Sequence, residues 1–165
     1  MKRFLAPLAA ALAVAAGAAQ AHGDVAHAAS APAARAAKPP TYSFGRPGDP
    51  KRVTRTIHVT MDDSYRFTPS DVVIRRGQTV RFVISNIGQQ MHEMVLGRMD
   101  DLREHAELMR RFPDMEHAEP NMAHVQPGER GEIVWQFTRP GEYAFACLIA
   151  GHFEAGMSGR LVVRR

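Results

Sequence analysis

From residue 51 onward the hydrophobic positions recur mostly with a period of two, in short runs punctuated by Gly, Pro and Asn. The runs are Arg52–Thr60, with Val53, Ile57 and Val59; Asp71–Arg75; Thr79–Asn86; Gly131–Phe137; Glu142–Cys147; and Gly159–Val163. Alternation of this kind in β-branched and aromatic residues marks strands with one buried face. One segment departs from it. Over Asp100–Phe112, Leu102, Ala106, Met109 and Phe112 recur at helical spacing. Several short strands with one helix-containing insertion predict an all-β fold, a Greek-key β-sandwich.

The first fifty residues follow a different pattern. Lys2 and Arg3 precede an uncharged, Ala-rich run from Phe4 to about Ala19, and Ala19-Gln20-Ala21 supplies a small-x-small cleavage pattern. Residues 1–21 therefore read as a secretory signal peptide. A retained membrane helix is the rival, but the run falls short of the roughly 18 residues a span requires and has no stop-transfer flank. Residues 22–50 are dominated by Ala, Pro, Gly and small polar residues. They hold too little apolar surface to order themselves and read as a flexible tether. The folded domain is then 51–165, in a protein exported to the periplasm, with no membrane insertion after cleavage and a monomeric state expected.

Composition narrows the chemistry. The 165 residues carry a formal charge of +4, which falls to +2 once Lys2 and Arg3 leave with the signal. So mild an excess, with no basic cluster interleaved with aromatics, argues against nucleic acid as a partner. A single Cys excludes an intrachain disulfide and any multi-Cys zinc or iron–sulfur site. The unusual feature is a surplus of nine Met and eight His.

Much of the candidate chemistry lies near the C-terminus. Cys147 ends a predicted strand, His152 and Met157 follow on one loop, and the last strand begins at Gly159. Thiolate and thioether suit Cu(I), and imidazole accepts either oxidation state, so the set suits copper. A trigonal site needs a second imidazole, for which His92 is the candidate and His58 and His105 the alternatives. Taken singly, each residue has an ordinary explanation: a small buried thiol, a polar loop His, a core-filling Met. Their order at one strand-loop-strand junction favours copper, and an unpaired thiol in an oxidising compartment is otherwise hard to explain.

The pattern of an upstream His92 followed by Cys147-x4-His152-x4-Met157 resembles the cupredoxin family, over roughly residues 51–165. The resemblance implies a cupredoxin-like sandwich in which His92 and His152 bind copper through ring nitrogens, Cys147 through sulfur and Met157 as a weak axial ligand. It also implies a redox-active type 1 site. Phe145, Phe153 and Met91 are expected to supply an apolar surround, and Glu93 or a backbone carbonyl to orient His92. Related multicopper oxidases and nitrite reductases combine several such domains with His-x-His motifs. This chain has one domain and no His-x-His, so catalysis of its own is not expected.

Between His92 and Gly131 the chain departs from a compact carrier. Met91, Met94, Met99, Met109, Met115 and Met122 accompany His105, His117 and His124, and Met115-Glu116-His117 and Met122-Ala123-His124 repeat one Met-x-His spacing. These are Cu(I) donors, so an additional copper site is one reading and irregular packing the other. After cleavage His22 would be the N-terminus, where its amine and ring could chelate Cu(II), with His27 nearby. The expected role is copper tolerance or handling with a redox or copper donor/acceptor protein as partner. The alternative is a periplasmic electron carrier cycling Cu(I)/Cu(II) for a respiratory or oxidase partner.

Overall fold

The computed structural model describes residues 42–113, 115 and 117–165. The predicted signal peptide, most of the tether, and His22 and His27 lie outside the described residues. The described residues form ten strands: β1 (Gly45–Pro47), β2 (Arg55–Asp62), β3 (Arg66–Thr68), β4 (Asp71–Arg75), β5 (Thr79–Asn86), β6 (His92–Gly97), β7 (Met122–Val125), β8 (Arg130–Phe137), β9 (Gly141–Ala146) and β10 (Ser158–Arg164), with helix α1 (Met99–Arg111) between β6 and β7. They assemble as two five-stranded sheets, in the orders β1-β8-β5-β2-β3 and β4-β10-β9-β6-β7. β2 with β5 and β4 with β10 pair in parallel, and the remaining pairs are antiparallel.

The period-two runs form strands because their alternate residues fill one core between the sheets. Val80, Phe82 and Ile84 of β5, Ile57, Val59 and Met61 of β2, Ile133, Trp135 and Phe137 of β8, and Leu161 and Val163 of β10 all belong to it. The second sheet has a further layer. Val95, Ala144, Ala146 and Leu148 face outward and are covered by Leu102, Ala106 and Met109 of α1. β6 is consequently buried at every position. A strand buried on both faces reads as a continuous apolar run rather than an alternation, which is why Val95-Leu96 gave no strand signal.

Three expectations need correction. Residues 42–50 are not tether: Phe44 is 3% exposed, β1 pairs with β8, and the Phe44 ring stacks on Trp135 with centroids 5.1 Å apart. Aromatic packing orders a segment whose local composition is that of a linker. Phe112, expected on the buried helical face, is exposed because α1 ends at Arg111. The short β1, β3 and β7 carry no signal of their own, since three or four residues hold too little periodicity to register, and β6 is hidden by its burial on both faces.

Replacing Phe44 with Ala is expected to destabilise the protein by about 3 kcal/mol in urea unfolding, as for other buried Phe truncations. The exposed His58→Ala should change it by no more than about 0.5 kcal/mol. Equal small effects would mean residues 42–50 are not part of the folded unit.

Candidate metal centre

Strand parity determines which side chains meet. Along β6, His92, Met94 and Leu96 share the inner face, and along β9 and its extension Phe145 and Cys147 do the same. Glu93 takes the opposite face, beside Val95 and beneath the helical layer. After Cys147 the chain turns through Gly151 and Gly156, both near φ +90°, a conformation glycine adopts without steric cost. The loop is closed by its own backbone. Cys147 N–H donates to Met157 O at 3.0 Å, Met157 N–H to His152 O at 3.0 Å, and His152 N–H to Ile149 O at 2.9 Å.

These constraints bring His92, Cys147 and His152 together, with their ligand atoms within 4.8 Å of one another and all three residues buried. His92 Nδ1 and His152 Nδ1 are 3.2 Å apart, and Cys147 Sγ lies 3.3 Å from His152 Nδ1. Met157 is fully buried in the same core cluster as Cys147. The alternatives for the second imidazole fall elsewhere: His58 is exposed on β2, and His105 on α1 lies against His117 with ring centroids 4.7 Å apart and the rings tilted. Of the expected apolar surround, Phe145 is buried, Phe153 packs against the outer layer, and Met91 is 37% exposed.

The arrangement fits a metal ion. His92 Nε2 is 3.0 Å from Asp63 Oδ1, and donation of that N–H leaves Nδ1 as a bare lone pair. One proton on His152 Nδ1 can serve either His92 Nδ1 or Cys147 Sγ, whereas a cation between the three atoms serves all of them. Two imidazole nitrogens, one thiol and a neighbouring thioether form a donor set suited to copper. The cluster fits a type 1 copper site.

Burial sets the electrostatics of the cluster. Burial pushes the Cys147 thiol up to about 12, opposed by the Glu93 and Ile149 backbone N–H groups directed at the sulfur. Burial also lowers His152, and the His92 charge adds to the effect. Without a cation the cluster therefore favours its neutral forms, and a bound cation reverses this for the thiol.

Two residues at the centre escaped the sequence reading. Asp63 and Tyr65, in the β2–β3 turn, lie against the histidines: Asp63 holds His92, and the Tyr65 ring sits 4.7 Å from that of His152. Glu93 does not orient His92. Its Oε1 accepts from Leu148 N–H at 2.7 Å and its Oε2 lies 2.8 Å from His124 Nε2. Asp62-Asp63-Ser64-Tyr65 reads as an ordinary turn, and its closeness to His92 arises only from sheet pairing.

On the outer side of Glu93 lies a cleft of about 690 Å³ lined by Met91, Met109, Met115, His117 and His124 as well as Glu93 itself. Both ring nitrogens of His117 are buried without a hydrogen-bond partner among the described residues. Burial raises the Glu93 carboxyl above its ordinary range, against the bond from Leu148 and the nearby His124 and His117. The Met-x-His repeat does not act as a unit, because Met122 is packed beneath α1 while His124 reaches the cleft. Met94 lies in the main core and Met99 packs on the outer layer.

Comparison with known proteins agrees with this geometry. The profile of the family described as "Multicopper oxidase" matches residues 36–165. The chain is 54% identical over 121 residues to the copper-resistant cuproprotein CopI of Rubrivivax gelatinosus, covering 73% of each protein. It is 32% identical over 154 residues to the CopI of Pseudomonas aeruginosa, covering 74% of this chain and 83% of the relative. Among solved structures, auracyanin from Roseiflexus castenholzii superposes with a TM-score of 0.60 at 19% identity, over 68% of this chain and 99% of that one. The last likeness shows the fold.

The raised Cys147 thiol has a consequence for metal-free protein. Its folded-state pKa of about 12 lies above the ordinary value of 9.0, so the folded state holds the proton more tightly. That contribution is complete below pH 9 and is lost as pH rises from 9 towards 12. Chemical denaturation of metal-free protein at pH 8 and 10.5 should show a larger loss for the parent than for Cys147→Ala. Equal losses would mean the thiol is not buried in this way.

Proposed function

Because the chain belongs to the multicopper oxidase family, as a cupredoxin-type member akin to the copper-resistant cuproproteins, we propose that it is an exported type 1 copper-binding protein acting in copper tolerance. The convergence of His92 Nδ1, Cys147 Sγ and His152 Nδ1 in a buried cluster carries this reading. His92 and His152 would hold the ion through Nδ1, Cys147 through its sulfur as thiolate, and Met157 through its thioether. Copper bound there supplies one-electron chemistry between Cu(I) and Cu(II). The closed loop and the buried Phe145 exclude bulk water, and the rigid sandwich limits rearrangement of the ligands between the two states. His152, 7% exposed, is the ligand nearest the surface and offers the route for electrons.

The Met- and His-lined cleft beyond Glu93 favours handling over simple carriage. Thioethers and imidazoles are Cu(I) donors, and the unpartnered ring nitrogens of His117 are aligned with that use. We therefore place an additional copper-receiving site there. The rival role, an electron carrier for a respiratory or oxidase partner, is favoured by the near-surface His152 edge. Among the described residues His92, Cys147 and His152 form the one cluster of three or more His, Cys, Asp or Glu donors. No helix among the described residues is long and apolar enough to cross a membrane. Periplasmic placement follows from the signal-like N-terminus, and a monomeric state is a separate part of this proposal.

Adding Cu(II) to purified protein should produce an intense visible thiolate-to-copper band, and Cys147→Ala should abolish it. Combined Met115, His117 and His124 substitution should lower total bound copper without altering that band. Bacteria lacking the protein should grow poorly on excess copper. Normal copper tolerance with a respiratory defect would instead establish the carrier role.

A further inference from the structure

We propose that Asp63 is a positioning residue for the copper centre, fixing His92 as the ring that presents Nδ1 and biasing the centre towards Cu(II). The inference rests on the copper reading above and concerns a residue with no ligand role. His92 is fully buried, and its Nε2 lies 3.0 Å from the Asp63 carboxylate. A histidine donating one ring N–H to a carboxylate has its tautomer fixed and its other nitrogen made more electron-donating. That nitrogen is the one facing Cys147 and His152.

The turn around Asp63 is built to hold this carboxylate. Oδ2 accepts from Gln89 N–H at 2.7 Å and Oδ1 from Gln90 N–H at 3.2 Å. Gly88 passes so close that a Cβ there would collide with Oδ1 and the carboxyl carbon of Asp63. Asn86 ties the same turn to the sheets: its Oδ1 accepts from Gly88 N–H, and its Nδ2 donates to Gln90 O and Val125 O. Asn86 is itself 1% exposed. Gly88, Gln89 and Gln90 therefore form a fitted cradle for one side chain, whose Oδ1 accepts from Gln90 N–H and presents a further lone pair to His92 Nε2.

The other imidazole has no such partner. No hydrogen bond to His152 Nε2 is formed among the described residues, and Tyr65 packs on the ring face. The two histidines are thus inequivalent, one backed by an anion and the other open. A negative charge behind one ligand favours the more highly charged metal state, and at 32% exposure the Asp63 carboxylate is only partly screened by water.

The test compares copper-loaded full-length protein with Asp63→Asn, Asp63→Glu and Gly88→Ala. Asp63→Asn should keep the thiolate–copper band while losing about ten- to a hundredfold in Cu(II) affinity, with Cu(I) affinity unchanged. That ratio is a rise in reduction potential of about 59–118 mV. Gly88→Ala, which displaces the carboxylate without removing it, should shift the potential in the same direction, and the double variant should go no further than Asp63→Asn. Asp63→Glu should recover part of the shift. An unchanged potential in Asp63→Asn, or equal losses for Cu(I) and Cu(II), would overturn the proposal. If Asp63→Asn does not fold, a Gly88→Ala potential equal to that of the parent does so instead. Absence of the band in the parent would overturn the copper reading itself.

Discussion

Three side-chain donor atoms, two imidazole nitrogens and one sulfur, converge in a water-poor interior, and much of the surrounding structure holds them there. Bare nitrogen lone pairs and a sulfur at about hydrogen-bond distance are costly to bury unless a cation or a proton lies between them. The single Cys147–His152 loop cannot solve this alone. It needs His92 from the neighbouring strand, and His92 needs Asp63 from the opposite sheet. The centre therefore joins the two sheets at one end of the sandwich, and its geometry depends on correct registration of β6 against β9.

β6 also separates two chemically distinct environments. On its inner face His92 contributes to a closed, apolar cluster, and on its outer face Glu93 faces an open cleft with Met and His side chains. Glu93 connects them, since its N–H is directed at Cys147 Sγ and its carboxylate holds both Leu148 N–H and His124. A closed site suits reversible electron exchange, and an exposed thioether-rich site suits capture of Cu(I). β6 places the two environments back to back.

The sequence made parts of this design legible and concealed others for physical reasons. Six strands were readable because apolar β-branched and aromatic residues recur in them at every second position, and α1 because its apolar residues recur at helical spacing. β6 was hidden by burial on both faces, and β1 by aromatic contacts to Trp135 that no local pattern reveals. The Cys147, His152 and Met157 loop stood out because three unusual residue types fall within eleven positions. Asp63 lies 29 residues from His92 in sequence, in a turn with ordinary turn composition, so only tertiary pairing could identify it. The outward direction of Glu93 follows from strand parity, which could not be applied until β6 was known to be a strand.

X-ray absorption at the copper edge, on protein loaded with one equivalent and measured in both oxidation states, tests the centre most directly. Two nitrogen ligands and one short sulfur ligand should appear in each state, with little change in distance between them. A nitrogen- and oxygen-only environment, or loss of the sulfur ligand on oxidation, would contradict the assignment of His92, Cys147 and His152 as a common site for Cu(I) and Cu(II).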